Sequence, residues 1–257
     1  MHGDDVARAI TLLNRGGYDA GRNDHVYGPD VASAVVRAKR HLGYPDKECT
    51  PVYGMILDNL LTGVSKPSLA MRARAKARER AAADAHEHAD KVYLKAMSQI
   101  GVHESPAGSN VTVFSRWYGI IGAWCAMFIS WCVWASGFAS GKFHYAYVPF
   151  VVGDATANRN GLHRVSGPVD GKLIAACYDW GHDGTSDHIG LAMTDFTLKR
   201  LSPARHTAAV NQWGALGAGE FWAVEGNTSP SNDSNGGEVW IRQRRYADVQ
   251  AFVQIPV

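Results

Sequence analysis

The chain has 257 residues, 46% hydrophobic and 19% charged, with a formal net charge of +2. That length suits one large domain or two small ones, and the charge balance lacks the dense basic face of a nucleic-acid binder. No run reaches the roughly 18 apolar residues of a membrane span, so stable membrane insertion is not expected.

The N-terminus, MHGDDVARAITLLNRGG, carries acids where a secretory signal carries basic residues, and Arg8 and Asn14 break its apolar stretch. The expectation is a chain made and folded in a cytoplasm. Cys49, Cys125, Cys132 and Cys177 are too few for a disulfide scaffold and lack zinc-ribbon spacing. No metal or cofactor is expected.

Residues 1–63 read as a three-helix domain. DDVARAITLLNRGGY predicts a helix closed by Gly16 and Gly17. GPDVASAVVRAKRHLGYP predicts a second, with Pro29 and Asp30 in its first turn and Gly43 at its end. PVYGMILDNLLTG predicts a third short piece, stopped by Gly63. Residues 64–90 are Ala-rich and charged, with Arg72, Arg74, Lys76, Arg78 and Arg80 at every second position. On a helix such side chains point around most of the circumference, which predicts a semi-rigid, solvent-bridging linker. A basic surface for an anionic polymer or lipid headgroups is the sharper alternative.

Residues 91–257 turn apolar and aromatic. A helical half runs to about residue 158. Strand-like runs follow in GKLIAACYDW, DHIGLAMT, GEFWAVEGN, GEVWIRQRRY and VQAFVQIPV. Helices first and strands after predict an α+β domain with an antiparallel sheet.

The uncharged stretch from Trp124 to Ala135 predicts a buried helix stopped by Gly137. Cys125 and Cys132 are two turns apart, roughly 10 Å, beyond the reach of a disulfide. Cys132 is mid-helix, where a thiol behaves as a small hydrophobe. Cys125 is in the first turn, where free N–H groups and the helix dipole favour a thiolate and can hold an oxyanion.

A nucleophile there needs a base. Of 11 histidines, His188 heads an apolar strand. His25 and His41 belong to the small domain, His86 and His88 to the linker, and His2 to the terminus. His144, His163, His182 and His206 read as loop residues. Glu225 and Asn227 stand at the polar end of another strand, two apart and so on one side; a surface carboxylate and a turn residue are the plainer alternatives. Asp179, Asp183 and Asp187 read as a polar hairpin turn, since no Glu completes a calcium loop.

Three segments together resemble the CHAP family, the cysteine, histidine-dependent amidohydrolases/peptidases: GSNVTVFSRWYGIIGAWCAMFISWCVWASG, GKLIAACYDWGHDGTSDHIGLA and WAVEGNT. The match runs from about Gly101 to Arg244, in the family's order of Cys, His and Glu with Asn. The resemblance implies a papain-like domain with Cys125 as nucleophile and His188 as general base and acid. It implies Glu225 as the group orienting His188 and Asn227 as a second polar partner. It gives no support for calcium before the cysteine, because TVFSRWYGIIGAW has no carboxylate, and Ala123 stands where relatives often have Pro. Asn110 and Tyr118 are candidates for cleft lining or side-chain donors, and Trp117 and Trp124 for an apolar wall. Packing and turn roles stay open for all four.

Residues 5–62 resemble the three-helix peptidoglycan-binding modules, on AITLLNRGGYDAGRNDHVYGPDVASAVVRAKRHLGYP. Together the resemblances imply a monomeric hydrolase of a cell-wall amide, amidase or endopeptidase, with peptidoglycan as substrate and ligand. The role implied is a phage endolysin reaching the wall after membrane permeabilisation. A tail-associated wall hydrolase, a non-catalytic wall-binding protein on the same fold and an intracellular acyl transferase are the alternatives.

Overall fold

Val6, Ile10 and Leu13 recur at helical spacing, and they are residues that α1 (Gly3–Arg15) buries. α2 (Pro29–His41) opens on Pro29 and Asp30, and beyond its end Gly43 takes φ +79, which a side chain rarely adopts. α3 (Met55–Leu61) adds Leu57. This computed structural model describes residues 3–233 and 235–257, so His2 lies outside the described residues. The chain divides into two compact units, 1–82 and 83–257. The first is built around Val6, Ile10, Leu13, Val31, Val35 and Leu57.

The boundary falls inside a single helix, α4 (Leu69–Met97), so the stretch expected to be a separate linker is shared between the units. Its alternating cations also sort into two sets. Arg74 donates to the Gly43 carbonyl at 2.8 Å, and Arg78 to the Arg40 and Tyr44 carbonyls at 2.7 Å each. Arg72, Lys76 and Arg80 stay exposed. The expectation is a solvent-bridging helix polar nearly all round; two of its arginines instead donate to carbonyls at and just beyond the end of α2. The C-terminal part buries Ala89, Val92, Tyr93, Ala96 and Met97.

In the second unit, α5 (Val113–Tyr118), α6 (Cys125–Ala135) and α7 (Val148–Thr156) precede the sheet. The strands are β1 (His163–Val165), β2 (Ile174–Tyr178), β3 (His188–Met193), β4 (Glu220–Thr228), β5 (Glu238–Arg245) and β6 (Val249–Gln254). They form one antiparallel sheet in the order β1-β6-β2-β3-β4-β5. The chain is thus α+β. The helices-first order needs one correction, because α8 (Asp195–Leu201) and α9 (Pro203–Trp213) intervene between β3 and β4. Thr194 caps α8 by accepting from Thr197 N, and Pro203 opens α9. His163 and His206, expected in loops, lie on β1 and α9.

Side chains of one parity along the strands, Cys177, Ile189, Leu191, Trp222 and Val224, join Met127, Phe128 and Ile129 of α6 in the main core. The other parity, Tyr178, Ala192, Phe221 and Ala223, forms a second cluster with Phe252. β2 and β3 are therefore buried along their whole length. Gly226 on β4 lets α6 come close, since a Cβ there would lie 2.6 Å from the Trp124 ring and 2.7 Å from Phe128 Cβ.

Candidate active site

Cys125 is the first residue of α6. Trp124 before it takes a non-helical backbone (φ −110, ψ 15) and offers no side-chain cap. The first α-helical bond at this end is Phe128 N to Trp124 O, so the N–H groups of the opening turn are left without an intrahelical acceptor. The thiol is almost wholly enclosed, at 4% exposure.

His188 begins β3 and is fully buried. Its Nε2 lies 3.2 Å from Glu225 Oε2 on β4. Neither ring nitrogen makes a fully aligned hydrogen bond, although Cys125 and Glu225 both act on the ring. Burial opposes protonation of His188, but hydrogen bonding and charge from Cys125 and Glu225 outweigh it and raise its pKa from 6.5 to about 9. Tyr178 and Trp180 stack against the ring, with centroids at 6.0 and 5.5 Å.

Glu225 is also fully buried. It occupies a notch that only glycine allows: a Cβ on Gly190 would meet Glu225 Cγ at 2.5 Å. Burial favours its protonated form, yet Arg244 and His188 hold it ionised, far below the usual carboxylate range. Arg244 on β5 grips both oxygens, Nε to Oε1 at 2.8 Å and NH2 to Oε2 at 2.5 Å. Sequence reasoning missed Arg244. The available signal was a pair of arginines, Arg242 and Arg244, two apart on a strand that also alternates Val239 and Ile241 with polar or part-exposed residues.

Asn227 is buried but not in a regular strand. The β4–β5 register shifts between Glu225 and Thr228, and Asn227 takes φ +59. The expectation that it shares a side with Glu225 through simple alternation is therefore corrected; the bulge re-aims it, and its amide donates to Asn235 Oδ1 at 3.4 Å.

The four cleft candidates fare differently. Trp124 is fully buried, stacked on Phe114 at 5.3 Å, with its indole N–H donated to Glu104 Oε1 at 2.9 Å. It offers no surface to a cleft, which corrects that expectation. Half-buried Trp117 packs on Trp134 at 5.2 Å, and Tyr118 stacks on His144 at 4.4 Å. Tyr118 also lines an open groove of about 520 Å³ with Ile120, Tyr147 and Phe150. Asn110 stands in the loop before α5 with φ +57, and its Oδ1 is enclosed without a hydrogen-bond partner.

The hairpin carboxylates bind their own backbone: Asp179 accepts from Asp183 and Gly184, Asp187 from Trp180 and Gly181, and Asp183 from Thr185. Among the described residues no group of three His, Cys, Asp or Glu is arranged to hold a metal ion, and no helix is long and apolar enough to cross a membrane. The geometry is that of a buried Cys–His–Glu set at a helix start, able to supply a thiolate, a proton carrier and backbone donors. Comparison with family models, curated proteins and solved structures returned no match.

Proposed function

We propose that this chain is a papain-like cysteine hydrolase that cleaves an amide bond of bacterial peptidoglycan. The observation that carries the reading is the convergence of Cys125, at the open N-terminus of α6, with His188 and its 3.2 Å partner Glu225. Resemblance to the CHAP family and to peptidoglycan-binding modules supplies the substrate class.

In this mechanism the Cys125 thiolate attacks the amide carbonyl carbon, and the carbonyl π electrons move to oxygen. Free N–H groups of the first α6 turn hold that oxyanion. Its collapse breaks the C–N bond, and the His188 imidazolium gives its proton to the departing amine. The product is a thioester on Cys125. Neutral His188 then takes a proton from water, hydroxide adds to the thioester, and the acid product leaves with the thiolate restored. Glu225 keeps the ring oriented and stabilises its cation. Asn227 is a further polar group beside this set. The role proposed is host lysis by a phage endolysin, with Trp117, Tyr118 and Asn110 as candidates for contact with the wall.

Mass analysis of fragments released from purified walls tests the substrate. New amino groups without new reducing sugar ends are the expected products, and their sequence separates amidase from endopeptidase. Reducing ends alone, or no release, overturn the proposal.

A further inference from the structure

We infer that Arg244 is a positioning residue that acts through Glu225 on His188, and that Asp233 braces it from the loop between β4 and β5. The inference rests on the proposed cysteine chemistry but not on the identity of the substrate.

Glu225 has two oxygens and three demands on them. Oε2 serves His188, and a lone carboxylate is free to rotate away from the ring. The Arg244 fork removes that freedom by binding Oε1 and Oε2 together. A planar guanidinium can do this; an ammonium cannot. The third nitrogen of Arg244, NH1, donates to Asp233 Oδ1 at 2.6 Å. Arg242 reaches the same oxygen at 2.6 Å and also donates to Thr228 Oγ1 and the Ser229 carbonyl, which ties the loop to the strand.

Arg244 also lies over the rings of Tyr178 and Trp180, at 5.3 and 5.1 Å, the same two rings that stack on His188. One aromatic platform thus fixes both the base and the cation that orients its partner.

Charged groups surround Glu225 from several elements: His188 of β3 and Arg242 and Arg244 of β5 act on it, Asp233 of the loop holds both arginines, and Cys125 of α6 acts on His188. Tyr178 of β2 is kept neutral by burial and by the carboxylate beside it. Loss of Arg244 leaves a buried carboxylate without its main cation, and such a group takes up a proton. Below that new titration point the His188–Cys125 pair loses its support.

The test is the rate of Cys125 alkylation by iodoacetamide against pH, located by peptide mass analysis in the whole chain. Parent, Arg244→Met, Arg244→Lys and Asp233→Asn are compared. Arg244→Met is expected to move the acid limb up by about one pH unit or more. Arg244→Lys is expected to keep the limb and lower the plateau rate at least three-fold, because charge remains and the fork is lost. Asp233→Asn, on a half-exposed side chain, is expected to lower the plateau similarly. An unmoved limb in Arg244→Met overturns the inference, because a merely structural arginine lowers the unfolding midpoint alone. If that variant does not fold, parental profiles in both Arg244→Lys and Asp233→Asn overturn it. A shifted limb in a protein that leaves walls uncut sinks the substrate assignment and leaves this inference standing. A parent Cys125 with no acid limb sinks both.

Discussion

His188 carries the clearest pH signature. Its pKa is raised in the folded chain from 6.5 to about 9, so folding is linked to keeping its proton. The stability this contributes is complete below pH 6.5 and is lost as pH rises through about 9. A urea midpoint that falls between those values in the parent, and stays flat in His188→Gln, is the expected result. Glu225 has the opposite sign, because its folded pKa is depressed. Its contribution is present above the ordinary carboxylate range and disappears only in strong acid. Hydrolysis is expected to hold through neutral pH and to fall as pH passes about 9, where His188 no longer carries the proton for the leaving amine. Gly190→Ala tests the notch directly. The added methyl meets Glu225 at 2.5 Å, and kcat/KM is expected to drop at least ten-fold with about 1–3 kcal/mol of stability lost in a chemical melt.

The elements were legible where pattern and packing agree. Gly137 ends the cysteine helix with φ +91, and the five strand-like runs are β2 to β6. β1 was not legible because its three residues, His163–Val165, are too short a run to establish a period. α8 and α9 were not separated from the strands, though TDFTL carries a cap and Pro203 a helix start. At the site, Cys125 and His188 stood out because each heads a strongly apolar element, whereas Glu225, inside β4, was singled out only by the family resemblance, since spacing alone left a surface carboxylate as the plainer reading. Arg244 did not stand out, because its meaning depends on a cross-strand neighbour that no spacing in one strand reveals. Trp124 stayed open between cleft wall and core because an indole beside a nucleophile has the same sequence signature whether it faces a cleft or a buried Glu104. Trp124→Phe leaves Glu104 short of a donor and is expected to cost about 1–3 kcal/mol, measurable as a lowered urea midpoint.

At the scale of the whole chain, both units rely on charged side chains placed against backbone or buried partners. The small unit uses Arg74 and Arg78 to satisfy carbonyls at the end of α2. Arg78→Ala removes two such bonds and the ion pair with Asp46, and is expected to lower the melting point of that unit's transition, by about 1–3 kcal/mol in stability, without altering Cys125 alkylation. The large unit uses the same residue type to hold Glu225. It keeps Cys132 and Cys177 inert, since burial pushes both thiols well above their ordinary pKa. Of the three cysteines in this unit, Cys125 is thus the one at a helix start beside His188. The most direct measurement is wall-suspension clearing by the purified chain beside Cys125→Ala and Cys132→Ala, each checked for an intact fold. Loss of clearing in Cys125→Ala with near-parental clearing in Cys132→Ala is the expected result. Parental clearing by Cys125→Ala contradicts the cysteine mechanism outright.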